Sequence, residues 1–452
     1  MDENGTLRLL SYYLNFFPKR RLPRPHSPIE QKVELKEKER KVTKVRAADC
    51  LKLKVEKSVS PGQLIVVKVI KTEECDINEN QLKVKWTQPS GRISITNVEE
   101  DENGEYFTME KCSRPGFCRL DVSAYGETLR QSPMNVEIVK EGLVKSFPVI
   151  DTRVTDIVVH DDCLLVSCER NKILKFKQSG EVNHIITMAP LPQGAKVNGM
   201  YKMKNGNIAF SDKGNKCIKV CKINGQIETI GQGLLKDPRG IYVNETSNVV
   251  YVADSVHHWY GTSGCVYMFS MCNTNGQAIK PIGQGILKDP VGIQVNETSN
   301  VVYVADSGSF VYMFDIGNGK IHQINPNSRV CDIALTDKGN LFVFGHTEIK
   351  LFNNEGKLIK EIKLETEYMQ SPLAVVDEDD NIVVAGFQGY PNCLKIFSSN
   401  GNLLKTITFE DNYFFAAIPK ALCIISYHPR KIAVGLQYNI TKMGSSIKII
   451  HY

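Results

Sequence analysis

Between residues 47 and 141 apolar and polar positions alternate with period two. Leu51-Lys-Leu-Lys-Val55, Leu64-Ile-Val-Val-Lys-Val-Ile70 and Leu82-Lys-Val-Lys-Trp86 follow one another, separated by Pro-Gly and Asn-rich turns. A two-residue period places alternate side chains on opposite faces of a strand, and short strands at this spacing predict a β-sandwich. Trp86 is its expected core anchor, since a strand tryptophan buries a large area. Beyond residue 142 the strands group into units. Asp156-Ile-Val-Val, Gly199-Met-Tyr-Lys, Gly240-Ile-Tyr-Val, Gly292-Ile-Gln-Val, Asp332-Ile-Ala-Leu, Ala374-Val-Val-Asp and Ala421-Leu-Cys-Ile each open one.

One unit is repeated almost literally. The 25 residues from Gly231 to Ser255 return at Gly283–Ser307 with three changes: Leu234/Ile286, Arg239/Val291 and Tyr242/Gln294. β-Units at a spacing of roughly 39 to 52 residues, without helices between them, predict the four-stranded blades of a β-propeller. Seven blades are expected, with six as the alternative. The last unit stops after its third strand, and a spare strand, Leu143–Ile150, precedes the first. Pairing the two would close the ring. The expected fold class is therefore all-β: an immunoglobulin-like sandwich at 47–141 and a propeller at 142–452. Residues 1–46 are read as a flexible, basic arm, broken by Pro18, Pro23, Pro25 and Pro28. A nuclear-import or phosphate-binding patch at Lys19–Arg24 is the alternative reading of that arm.

Charge sharpens this division. The chain carries a net +6. The arm holds 12 Lys/Arg against 6 Asp/Glu, so the folded body is close to neutral. That argues against bulk-charge binding of nucleic acid. No stretch of 18 apolar residues occurs, so no membrane span is expected. The 13 cysteines, many within strand-like runs, read as reduced thiols of a cytoplasmic protein.

Family features appear on top of these patterns. Asp101-Glu-Asn-Gly-Glu-Tyr-Phe, the turn Arg114-Pro-Gly and the terminal Gln131-Ser-Pro-Met resemble a filamin-type repeat. The pattern Pro-x-Gly-Ile-x-Val…Val-Tyr-Val-Ala-Asp-Ser…Val-Tyr-Met-Phe, at 238–269 and 290–314, resembles the NHL repeat. Together they resemble the C-terminal half of the TRIM-NHL proteins. That resemblance implies a propeller that recognises protein or RNA, in a family whose RING domain makes it a ubiquitin ligase. Residues 1–46 hold no cysteine. A RING or B-box needs clustered Cys/His ligands for zinc, so neither is expected in this chain, nor is a long coiled coil.

Candidate chemistry is sparse. The nine histidines share no repeated position, and His257-His258 fall in an insertion, Val256–Gly264, read as a surface loop. Asp254 and Asp306 fill the repeated Ala-Asp-Ser position and are expected to cap the turn that follows them. Neither a Ser/His/Asp order nor a phosphate loop is present. No cofactor and no metal site are expected. The loops leading into the first strands give a candidate binding face of Lys236, Arg239, Lys288, Arg329 and Lys420. The expected function is a non-catalytic scaffold recruiting a protein partner through the propeller. RNA binding through the same face is the alternative, and an enzyme with a metal in the channel is a third reading.

Overall fold

A computed structural model describes residues 50–452 except 73–76, 78, 102–103, 150–151, 170–171, 179–190, 192, 259–260, 272–277, 308–309, 364–368, 388–391, 410–416 and 439–443. The arm 1–46 lies outside the described residues. Among the described residues from Leu51 onward there is no α-helix; one short 3-10 turn, Glu79–Gln81, interrupts an otherwise all-β chain. No helix is long and apolar enough to cross a membrane.

Two sheets share the N-terminal core. One runs Leu51–Val55, Leu64–Lys71, Tyr106–Lys111, Glu99–Glu100. The other runs Ser58–Val59, Met134–Ile138, Gly116–Ala124, Leu82–Thr87, Ile93–Asn97. The alternation predicted from sequence holds: Leu51, Leu53, Leu82, Val84 and Trp86 are buried while the intervening lysines are exposed. Trp86 is fully buried, and its indole N–H donates to Thr96 Oγ1 at 2.7 Å. Burying that ring secures the sheet pair, and the hydroxyl removes the cost of a buried, unpaired donor.

Seven further sheets follow. Their first strands are Val154–His160, Val197–Lys202, Pro238–Asn244, Pro290–Asn296, Asp332–Leu335, Met369–Val376 and Ala417–Tyr427. Each first strand contacts the next, and the seventh contacts the first, so the sheets form a closed, propeller-like ring. Six sheets have four strands, and the first shows three among the described residues. Gly142–Val149 pairs antiparallel with Ser445–His451, completing the seventh sheet as the pattern predicts.

Packing explains the continuous apolar runs of the second strands. Val250 and Val252 pack toward the second sheet, whereas Tyr251 and Ala253 pack toward the fourth. Val302 and Val304 face the third sheet, and Tyr303 and Ala305 the fifth. A strand buried on both faces needs apolar residues at every position, not every second one. Seven separate hydrophobic clusters result, one between each pair of neighbouring sheets around the ring.

Two local expectations change. Val256–His258 and Gly261–Gly264 are not a surface loop: they prolong the hairpin, with His257 opposite Thr262 and His258 opposite Gly261. The alternation simply continues the ladder past the end of the repeat. Asp254 and Asp306 do bind backbone N–H groups, but in the loop before their sheet's first strand rather than in the following turn. Asp254 lies opposite Pro238 in the ladder, which brings its carboxylate to the leading loop. It accepts from Lys236 N at 2.9 Å and Asp237 N at 2.7 Å. Asp306 repeats this with Lys288 N at 3.0 Å and Asp289 N at 2.6 Å. Burial outweighs these bonds at Asp254 and raises its pKa.

Candidate functional site

The first strand of each sheet presents an unpaired edge to the centre of the ring. Its backbone groups need partners other than a neighbouring strand. Near one end, side chains supply them. Thr155 Oγ1 donates to Val197 O at 3.0 Å, and Ser211 Oγ to Arg239 O at 2.6 Å. Close approach demands small residues as well: a Cβ at Gly240 would stand 2.7 Å from Val291 O.

Where the second, third and fourth sheets carry Gly199, Gly240 and Gly292, the first and fifth carry Asp156 and Asp332. Asp156 accepts from its own neighbour, Ile157 N, at 2.8 Å and from Met200 N of the next sheet at 2.6 Å. Asp332 accepts from Ile333 N at 2.9 Å and from Ala374 N of the next sheet at 3.1 Å. Burial raises both carboxyls, each to about 7, and the backbone N–H bonds oppose that rise without cancelling it. Two acids are thus poised to titrate near neutrality, one of them, Asp156, on a cavity wall.

That cavity, of about 530 Å³, lies among the first strands of six of the seven sheets. Ile157, Val158, Met200, Leu335, Val375, Val376, Leu422 and Ile424 supply most of its apolar wall. Asp156, Tyr201, Lys202, Gln294 and Cys423 bring polar groups to it. Burial pushes the Cys423 thiol up to about 12, and the Asp156 carboxylate adds to the effect. It is therefore a protonated thiol at neutral pH. No group of three or more His, Cys, Asp or Glu placed to hold a metal exists among the described residues.

The five sequence-predicted residues are not gathered into this cavity. Lys236, Lys288 and Arg329 lie exposed on the leading loops. Arg239 is engaged: its guanidinium lies 3.0 Å from Asp289 and 3.4 Å from Asp237, which also receives Lys213 at 2.7 Å. Burial works to raise Asp237, but Lys213 and Arg239 outweigh it and hold the carboxyl below its ordinary value. Lys420 is half-buried, and burial, with Arg153 nearby, lowers its pKa. The carboxyl pair escaped sequence reasoning, although a signal existed: an aspartate at a repeat position that holds glycine or alanine in the other units, inside an apolar strand.

No family model matches the chain. No curated protein matches it either. Solved structures with a similar ring include a streptogramin B lyase, 15% identical, with a TM-score of 0.47 over 68% of this chain and 97% of that one. Virginiamycin B lyase from Staphylococcus aureus is 14% identical, with a TM-score of 0.48 over 68% of this chain and 99% of that one. A catalytically inactive variant of that lyase, with quinupristin, is 15% identical at a TM-score of 0.48, with the same coverage. These neighbours are enzymes, which conflicts with the expected non-catalytic scaffold, and that expectation is withdrawn. At such identity the likeness concerns the ring alone.

Proposed function

We propose that this chain is a small-molecule-binding β-propeller whose ligand enters the central cavity. One observation carries the reading: a cavity of about 530 Å³ at the ring's centre, where aliphatic side chains meet several polar groups, one of them a carboxyl shifted to about 7. Ligand sites are typically clefts of about 300–1,000 Å³ with this mixture of surfaces. The near-literal repeat and the seven sheets support the finer reading of a seven-bladed, NHL-type propeller, and the two N-terminal sheets that of a filamin-type, immunoglobulin-like domain. The TRIM-NHL relationship and a cytoplasmic location belong to the same proposal.

The test is a thermal-shift screen of small organic compounds against the full chain and an Ala374→Phe variant, which adds a ring at the cavity wall. Compounds that stabilise the wild type and lose that effect in the variant support the reading. A screen in which wild type and variant respond alike would sink it. Partners are a separate proposal: exposed Lys236, Lys288 and Arg329 favour an anionic macromolecule on the leading face, RNA or an acidic protein surface. Binding there should weaken steeply with salt.

A further inference from the structure

The two near-identical repeats form an internal control. Of the three exchanges between them, Leu234/Ile286 is conservative and lies on the surface. The other two change chemistry: Arg239 against Val291, and Tyr242 against Gln294. Both fall on first strands, the strands that line the centre. The buried second strands and the capping Asp254 and Asp306 are unchanged. Arg239 is held by Asp237 and Asp289, so of the three exchanges only Tyr242/Gln294 falls on cavity walls.

Gln294 has a particular place. It lines the central cavity and also a second cavity of about 310 Å³, and it shares that double position with Leu335. Its counterpart Tyr242 lines the second cavity, together with Glu297 and Asp337. There the Tyr242 hydroxyl donates to Glu297 Oε1 at 3.1 Å, and the Thr246 hydroxyl donates to Oε2 at 3.2 Å. These bonds hold the carboxylate beside an aromatic pair, since Tyr201 meets Tyr242 edge-on with ring centroids 5.5 Å apart. Across both cavities the lining carries three carboxyls, Asp156, Glu297 and Asp337, against one ammonium, Lys202. The centre carries the larger share of aliphatic side chains, and the outer cavity is mainly polar.

We infer that the two cavities are one bipartite site for an amphipathic organic cation, with its apolar body in the centre and its cationic group beside Tyr242, Glu297 and Asp337. Gln294 stands at the junction and sets specificity. Carboxylates and aromatic faces together are the surroundings that attract such a group. The inference rests on the central-cavity reading above and narrows it.

Calorimetric titration of the full chain with hexyltrimethylammonium, hexyl sulfate and hexanol, at fixed low salt, tests it. The ammonium should bind about tenfold or more tightly than either other probe. Glu297→Gln and Asp337→Asn should each reduce that preference by about three- to tenfold. Gln294→Tyr, which installs the sister repeat's side chain, should weaken the ammonium by about threefold or more through crowding at the junction. Tyr242→Gln, which removes the aromatic partner, is the second variant should the first not fold, with loss again expected. Equal binding of all three probes, abolished by Ala374→Phe, would overturn the cation and leave the central site standing. Ammonium binding indifferent to Glu297→Gln and Asp337→Asn would overturn the outer subsite. An ammonium that does not bind overturns the inference outright, whereas the central-cavity reading is judged separately by the compound screen.

Discussion

Asp156 and Asp332 show how one residue can be structural and titratable at once. Each carboxyl joins neighbouring sheets by accepting a backbone N–H from the next first strand. Burial nevertheless favours the protonated form, so each pKa stands at about 7 instead of near 4. The folded pKa lies above the unfolded one. The folded state therefore binds more protons over that interval, and stability falls as pH rises from about 4 to about 7, then levels off. Both side chains are partly exposed, so each contribution is discounted to about 1–2 kcal/mol. An Asp156→Asn, Asp332→Asn variant, which keeps an acceptor oxygen without the charge, should lose this slope. Chemical denaturation at pH 5 and pH 8 measures it, and parallel profiles for wild type and variant would contradict it. A second prediction concerns Asp306, which is buried and holds two backbone N–H groups of the leading loop. Asp306→Ala should cost about 2–3 kcal/mol in urea unfolding, because both donors would lose their partner. A loss within about 0.5 kcal/mol would place water there instead.

Among the elements, the repeat was fully legible and its consequences only partly so. Period, strand order and the closing strand Gly142–Val149 followed from spacing, because hydrophobic burial fixes which positions face inward. Trp86 followed for the same reason. The role of Arg239 did not, since its partner Asp289 comes from the next sheet, 50 residues away. Nor did the central cavity, which is assembled from six strands with no shared motif. The glycines of the first strands show how tertiary context divides residues that sequence treats as equal. Gly240 and Gly292 hold the same place in the repeat. A Cβ on Gly240 would meet Val291 O at 2.7 Å, whereas one on Gly292 would find its nearest atom, Ala305 Cβ, at an ordinary 3.6 Å. Neither has a left-handed backbone, so the difference is one of space. Gly240→Ala should therefore destabilise the ring by about 1–3 kcal/mol, and Gly292→Ala by less than about 0.5 kcal/mol. Equal losses in denaturant would show that the close approach relaxes at little cost.

At the scale of the molecule, the two-sheet unit meets the seventh sheet of the ring through a small set of polar bonds. Gln63 is central to it. Its Oε1 accepts from Ser60 N at 2.9 Å, which turns its Nε2 toward Tyr427 O at 2.9 Å and His428 Nδ1 at 2.6 Å. With the amide fixed in that sense, Nδ1 must accept, and the ring proton lies on Nε2, 3.0 Å from Glu378 Oε1. Arg430 N donates to Ser60 Oγ at 3.1 Å, and the Arg430 guanidinium is paired with Asp379. The turn joining the first two strands of the seventh sheet is thus held from both sides, by the two-sheet unit and by the sixth sheet. The Arg430 amide reports on the two-sheet unit alone, because its acceptor is Ser60. In a Ser60→Ala, Gln63→Ala variant three bonds to this turn disappear, each worth about 1 kcal/mol. Hydrogen exchange at the Tyr427, His428 and Arg430 amides should accelerate by about tenfold or more, while buried Val250–Ala253 on the third sheet keeps its wild-type rate. Acceleration at both places would mean that the variant destabilises the whole ring. No change at either would mean that the sixth sheet alone holds the turn and that the two units are mechanically independent.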